Sequence, residues 1–127
     1  MNSRGVKAKG YTAERAVVDY LRSRGIPAER RRLGGSSDTG DVGGWAGWVC
    51  EIKNEKRLDL AGYLRELETE VRNANLKLDE DHKGVVVVKR RGTVDAGDYY
   101  AVMKLSHLMD LVSELQRASG TEPHSLT

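Results

Sequence analysis

Asp41-Val42-Gly43-Gly44-Trp45-Ala46-Gly47-Trp48-Val49-Cys50-Glu51-Ile52-Lys53 is the stretch whose reading decides how this chain folds. It opens on an acid, passes through a glycine-rich turn, and closes on Glu51-Ile52-Lys53. Val49, Cys50 and Ile52 suit a pleated, half-buried surface. Side chains alternate across a strand, so the reading turns Cys50 and Ile52 toward a core and sets Glu51 and Lys53 together on the outer face. Gly43, Gly44 and Gly47 permit a hairpin that returns Asp41 to the side of Glu51. Two carboxylates converging beside an ammonium make a small oxygen-donor site of the kind that holds Mg2+. Mn2+ can substitute there, because it takes the same octahedral oxygen ligands.

Working outward on the N-terminal side, Gly34-Gly35-Ser36-Ser37-Asp38-Thr39-Gly40 is a polar loop leading into Asp41. Its backbone N–H groups and hydroxyls can face a phosphate, or it is a plain connection. Residues 26–33 read as a short extended segment ending in Arg30, Arg31 and Arg32. Before it, Ala13, Ala16, Val17, Tyr20 and Leu21 recur at helical spacing, which predicts a helix over 11–24 with Thr12 as N-cap and Gly25 and Pro27 as the stop. Glu14 sits on the edge of that apolar stripe. It is either a first-turn acid favoured by the helix dipole or a carboxylate turned toward the site. Residues 1–8 show no apolar period and read as a disordered basic leader.

On the C-terminal side, Leu60, Leu64, Leu67, Val71, Ala74 and Leu78 predict a long helix over 59–78 capped by Asp59, with Glu66, Glu68 and Glu70 as its solvated face. Val85 to Val88 is a continuous β-branched run of the kind that makes a strand buried on both faces. A strand over 99–104 and a helix over 107–117, capped by Ser106, complete the pattern, and 118–127 reads as a flexible tail. His82 and His107 read as surface or capping residues rather than ligands. The order is α-β-β-β-α-β-β-α, an α/β domain with a mixed central sheet flanked by helices, spanning 9–117.

Composition narrows the function classes. The chain has 127 residues, enough for one domain with a real core. A single cysteine, Cys50, excludes an intrachain disulfide, argues against a structural zinc site and fits a reducing, cytoplasmic setting. No apolar run reaches the length of a membrane span, and no signal-peptide pattern appears. The net charge of +2 conceals an asymmetry: residues 1–32 carry nine Lys or Arg against three acids, the remainder twelve against sixteen. A basic half on a near-neutral chain points to a polyanion.

These residues carry a resemblance. Asp41 followed by Glu51-x-Lys53 across a turn resembles the core of the PD-(D/E)xK nuclease superfamily, whose order is likewise α-β-β-β-α-β, the restriction-endonuclease-like core. The segment from about residue 9 to 53 is similar to the archaeal-type Holliday junction resolvases. The matching features are Lys9-Gly10, Ala13-Glu14-Arg15, an arginine ahead of Gly35-Ser36, Asp41, and Val49 to Lys53. The resemblance implies a Mg2+-dependent DNA endonuclease acting in recombination or repair. Within it, Asp41, Glu51 and Glu14 serve the metal, and Lys53 serves the attacking water and the phosphate charge. Lys9, Arg15, Arg30 or Arg32, Ser36 and Ser37 lie along the DNA. Gly40 stands where the family's proline falls, and the long helix lacks the glutamine many members carry. Two symmetric incisions in a four-way junction imply a homodimer, with Trp45, Trp48 or the long helix offering apolar surface. The alternatives are a restriction or phage recombination nuclease of the same fold, and a non-catalytic basic DNA-binding protein.

Overall fold

Residues Trp48–Lys53 form the strand on which the molecule is assembled. It appears in a computed structural model that describes residues 3–31 and 39–120, and of residues 3–11 the backbone alone. The elements in order are α1 (Ser3–Ser23), β1 (Glu29–Arg30), β2 (Val42–Gly43), β3 (Trp48–Lys53), α2 (Leu60–Leu78), β4 (Lys83–Val88), a 3-10 turn (Ala96–Asp98), β5 (Tyr100–Val102) and α3 (Leu105–Ser119). The order expected from sequence is the order found, and the chain is α/β with a mixed sheet.

β3 runs parallel to β4, pairing Cys50 with Val85, Glu51 with Val86 and Ile52 with Val87. β4 is central and pairs antiparallel with β5, Val86 opposite Val102. A separate antiparallel pair joins β1 to β2, Arg30 opposite Val42. Parallel strands need a crossover, which α2 supplies. α2 begins at Asp59, whose carboxylate accepts from the Gly62 N–H, and ends at Asp79 in the left-handed region, φ 51°.

Two apolar clusters lie on opposite faces of this sheet. One gathers Ala13, Val17 and Val18 of α1 with Cys50, Ile52 and Val85. The other gathers Tyr63, Leu67 and Ala74 of α2 with Val49, Val86 and Val88. β3 is therefore covered on both sides, and the expected outer face for Glu51 does not exist: Glu51 is 5% exposed. A crossover helix always has to pack on one face of its parallel sheet, and here α2 closes the face on which Glu51 stands.

Other expectations are corrected locally. The first helix starts at Ser3 rather than 11, so Thr12 is no cap and most of the expected leader is helical. Lys and Ala are good helix formers, and the two glycines of this helix, Gly5 and Gly10, cost only about 1 kcal/mol each. α3 runs from Leu105 to Ser119, beyond the expected 107–117, so Ser106 lies inside it. Lys104 occupies the cap position without a side-chain hydrogen bond, and Gly120 closes the helix at φ 77°. His82 is not a surface residue, since its side chain is 4% exposed. Its Nδ1 lies 2.9 Å from Asn75 Oδ1, which also accepts from the His82 backbone N–H.

Candidate metal centre

The turn between β2 and β3 is what brings Asp41 back to β3. Gly44 and Gly47 both adopt positive φ, 77° and 78°. A Cβ on Gly44 would also collide with the Pro27 carbonyl, so no larger residue fits there. Asp41 is then held from three directions. Its N–H donates to the Cys50 carbonyl at 2.8 Å, and its own carbonyl accepts from the Arg31 N–H at 2.9 Å. Its carboxylate Oδ2 accepts from the Ile52 N–H at 2.7 Å. The expected convergence of Asp41 on Glu51 is present: the Asp41 carboxylate is bound to the backbone of the residue after Glu51 and lies close enough to raise the Glu51 pKa.

Glu51 is the hub. Burial raises its pKa far above the usual carboxylate range, and the adjacent carboxyls of Glu70 and Asp41 push it further in the same direction. A carboxyl so buried and so flanked by other acids favours its protonated form in the absence of a cation. Cys50, next in the strand but on the opposite face, is fully buried. Its thiol is pushed upward by that burial first and then by Asp41, Glu51 and Glu70. It is a neutral core residue, not a nucleophile.

Glu70 is the residue that sequence reasoning missed. It was expected on the solvated face of the long helix and is 1% exposed. The signal was present in the spacing, because the buried positions of α2 are Tyr63, Leu67, Glu70 and Ala74, one continuous stripe in which Glu70 replaces an apolar residue. Glu51, Glu66 and Glu70 offer carboxylate oxygens within 4.8 Å of one another, a donor set suited to a hard divalent cation. Of the remaining two helix acids, Glu68 is on the surface as expected and pairs with Lys104.

Lys53 flanks this cluster. Its Nζ donates to Glu66 Oε2 at 3.0 Å and lies 5.2 Å from the centre of the Tyr63 ring. Burial works against its charge, but the Glu66 contact and the fields of Glu66, Glu51 and Glu55 outweigh that, and its pKa is raised. Tyr63 is fixed in turn, its hydroxyl donating to Glu55 Oε2 at 2.6 Å. An ammonium ion is thus kept charged at the edge of a carboxylate cluster.

Glu14 is placed differently. Its Oε2 accepts from Arg30 Nε at 2.8 Å and lies 2.8 Å from Arg30 Nη2, joining α1 to β1. Glu14, like Asp41, is absent from the set of mutually close carboxylates, but only Asp41 is near enough to Glu51 to shift its pKa. Arg15 is exposed on α1 and 3.7 Å from Asp19. Arg32, Ser36, Ser37 and the Lys9 side chain lie outside the described residues. Comparison with family models, with curated proteins and with solved structures finds no match to this chain.

Proposed function

We propose that this chain is a divalent-metal-dependent DNA endonuclease with a restriction-endonuclease-like core, selective for branched DNA such as a four-way junction. The observation that carries the reading is a buried carboxyl, Glu51, flanked by the carboxyls of Asp41 and Glu70, with Lys53 two residues along the same strand. Burying several carboxyl groups together is costly, and a cation at that point reverses the cost. The donor set is all oxygen, which fits Mg2+ or Mn2+.

A bound Mg2+ would acidify a water molecule and polarise a phosphoryl oxygen. The chain's own residues do the rest. The Ile52 N–H fixes the orientation of Asp41. Glu51 must give up its proton on loading, so binding couples to pH. Lys53 sets a positive charge where the phosphorane gains negative charge. Arg30, held by Glu14, would offer its charge to a phosphate on the α1 side.

A junction presents two strands related by a twofold axis, so the working unit is a homodimer. The apolar face of α2 is already used in the core, whereas α3 has no buried residue and exposes Leu105, Leu108, Met109 and Leu115. The second copy docks on that stripe, and Leu108→Glu with Leu115→Glu yields a folded monomer by light scattering. The activity test is incubation of the purified chain with four-way junction, duplex and single-stranded DNA of matched sequence, with Mg2+ or EDTA. Junction cutting that requires Mg2+ is expected; no metal-dependent cutting of any substrate sinks the proposal.

A further inference from the structure

Trp45 and Trp48, the chain's two tryptophans, stack with ring centroids 4.9 Å apart and planes 16° from parallel. Trp45 stands in the β2–β3 turn and Trp48 opens β3, both half-buried against the α1-side core rather than within it. Both line an open cleft of about 370 Å3, whose wall also includes Arg31, Thr39 and Lys77. That volume lies in the range of small-ligand sites.

Three features of this cleft need a ligand with one flat and one anionic part. Each indole turns one face to the other, so a third aromatic ring can extend the stack. Arg31 and Lys77 are exposed cations at its wall, while the neighbouring acid, Glu80, lies 3.5 Å from His82. The Thr39 hydroxyl is buried, 4% exposed for the residue, with no hydrogen-bond partner among the described residues. A buried hydroxyl left unpaired costs about 1–3 kcal/mol, and a phosphate oxygen or base carbonyl would satisfy it. The cleft also adjoins the carboxylate cluster, since Thr39 precedes Asp41 by two residues and Val49, which lines the cleft, precedes Glu51 by two. In extended chain that separation is about 7 Å.

We infer that this cleft binds one unpaired nucleotide of single-stranded or branched DNA, its base stacked on the Trp45–Trp48 pair and its phosphate held by Arg31, Lys77 and the Thr39 hydroxyl. The inference rests on the nucleic-acid part of the function proposed above, and it adds a means of telling an open junction from a closed duplex. Base-on-aromatic stacking tolerates any sequence, as a structure-selective enzyme requires.

The test is an equilibrium titration of the full chain, in EDTA so that nothing is cut, with a short oligodeoxythymidine and with an abasic oligonucleotide of the same length. Because both tryptophans sit in the cleft, their fluorescence reports on it directly. Saturable quenching by the oligodeoxythymidine is expected, with the abasic strand binding at least about fivefold more weakly and quenching little, which is the lower end of what one stacked base contributes. Trp45→Ala loses that same factor and Trp45→Phe retains most of it. Thr39→Val, which removes the unpaired hydroxyl without changing shape, melts no lower than the parent and binds several-fold more weakly. Equal affinity for the two oligonucleotides, or binding without any change in tryptophan emission, overturns the inference. Metal-dependent cleavage without quenching removes the cleft and leaves the nuclease reading; quenching without cleavage does the reverse.

Discussion

The two faces of β3 are built from the same six residues and do opposite things. Toward α1 the strand presents Cys50 and Ile52, which sit among Ala13, Val17 and Val18 as ordinary core. Toward α2 it presents Val49 and Glu51, and there the apolar packing of Tyr63, Leu67 and Ala74 is interrupted by Glu70 meeting Glu51. One face is optimised for stability. The other gives up stability at one spot to hold carboxyl groups away from water, a local departure from packing of the kind expected at functional sites. The chain can accommodate the loss because the α1 face and the remainder of the α2 face are continuous apolar clusters.

The largest test of that contrast is on the acidic face. Asp41→Asn and Glu51→Gln are expected to reduce cleavage to background while DNA binding holds or improves, since each removes a negative charge near phosphate. Lys53→Met is expected to lower the rate by about 10^2 to 10^3, the usual cost of removing one group that stabilises the transition-state charge. If any of these variants cuts at the parental rate, the acidic face is not the catalytic one.

The apolar face should respond in the other currency. Ile52→Ala is expected to cost about 2–5 kcal/mol of stability by denaturant titration, with cleavage preserved at temperatures where the variant is folded. A loss of cleavage in a fully folded Ile52→Ala protein would mean that the two faces are less separate than their contacts indicate.

A third prediction concerns pH in the absence of metal. The raised pKa of Glu51 means that the folded state keeps a proton that the unfolded state releases above its own pKa near 4.5. Stability therefore falls as pH rises above that value, by at most about 1.4 kcal/mol per pH unit for one proton. Melting temperature measured across pH in EDTA should show this decline, whereas Mg2+ or Mn2+ should flatten it by releasing the proton. Glu51→Gln and Glu70→Gln should each flatten the curve without metal. A metal-free protein whose melting is insensitive to pH between 5 and about 8 would refute the buried-proton account.

The smallest effect is expected at Glu14. Its contact with Arg30 is partly exposed, so Glu14→Gln should change stability by no more than about 1 kcal/mol. DNA affinity should fall less than tenfold as Arg30 loses its clamp, and cleavage at saturating DNA should stay within tenfold of the parent. A rate loss as deep as that of Glu51→Gln, at unchanged melting temperature, would move Glu14 from the phosphate side onto the metal.

Much of this architecture was legible in residue spacing. The period of α2, the four-valine run of β4 and the glycines of the turn act locally, so their consequences could be read locally. The pairing of Asp41 with Glu51 was legible for the same reason, because a turn of fixed chirality and an alternating strand determine it between them. Helix ends were less legible: at α1 and α3 the flanking residues have enough helix propensity to extend the element past the first plausible cap.

What the sequence by itself determined is the order of elements and the strand that carries Glu51 and Lys53. What only the tertiary structure decided is which face of β3 is dry. Alternation says that Glu51 and Cys50 point to opposite sides, but nothing within the strand says that both sides are covered. That follows from α2 crossing back over the sheet, and it converts Glu70 from a surface charge into a partner of Glu51. The physical reason is that burial is a property of two elements at once: a carboxylate on a helix stripe is inexpensive in water, and becomes a candidate ligand only when another element brings a second carboxylate to meet it.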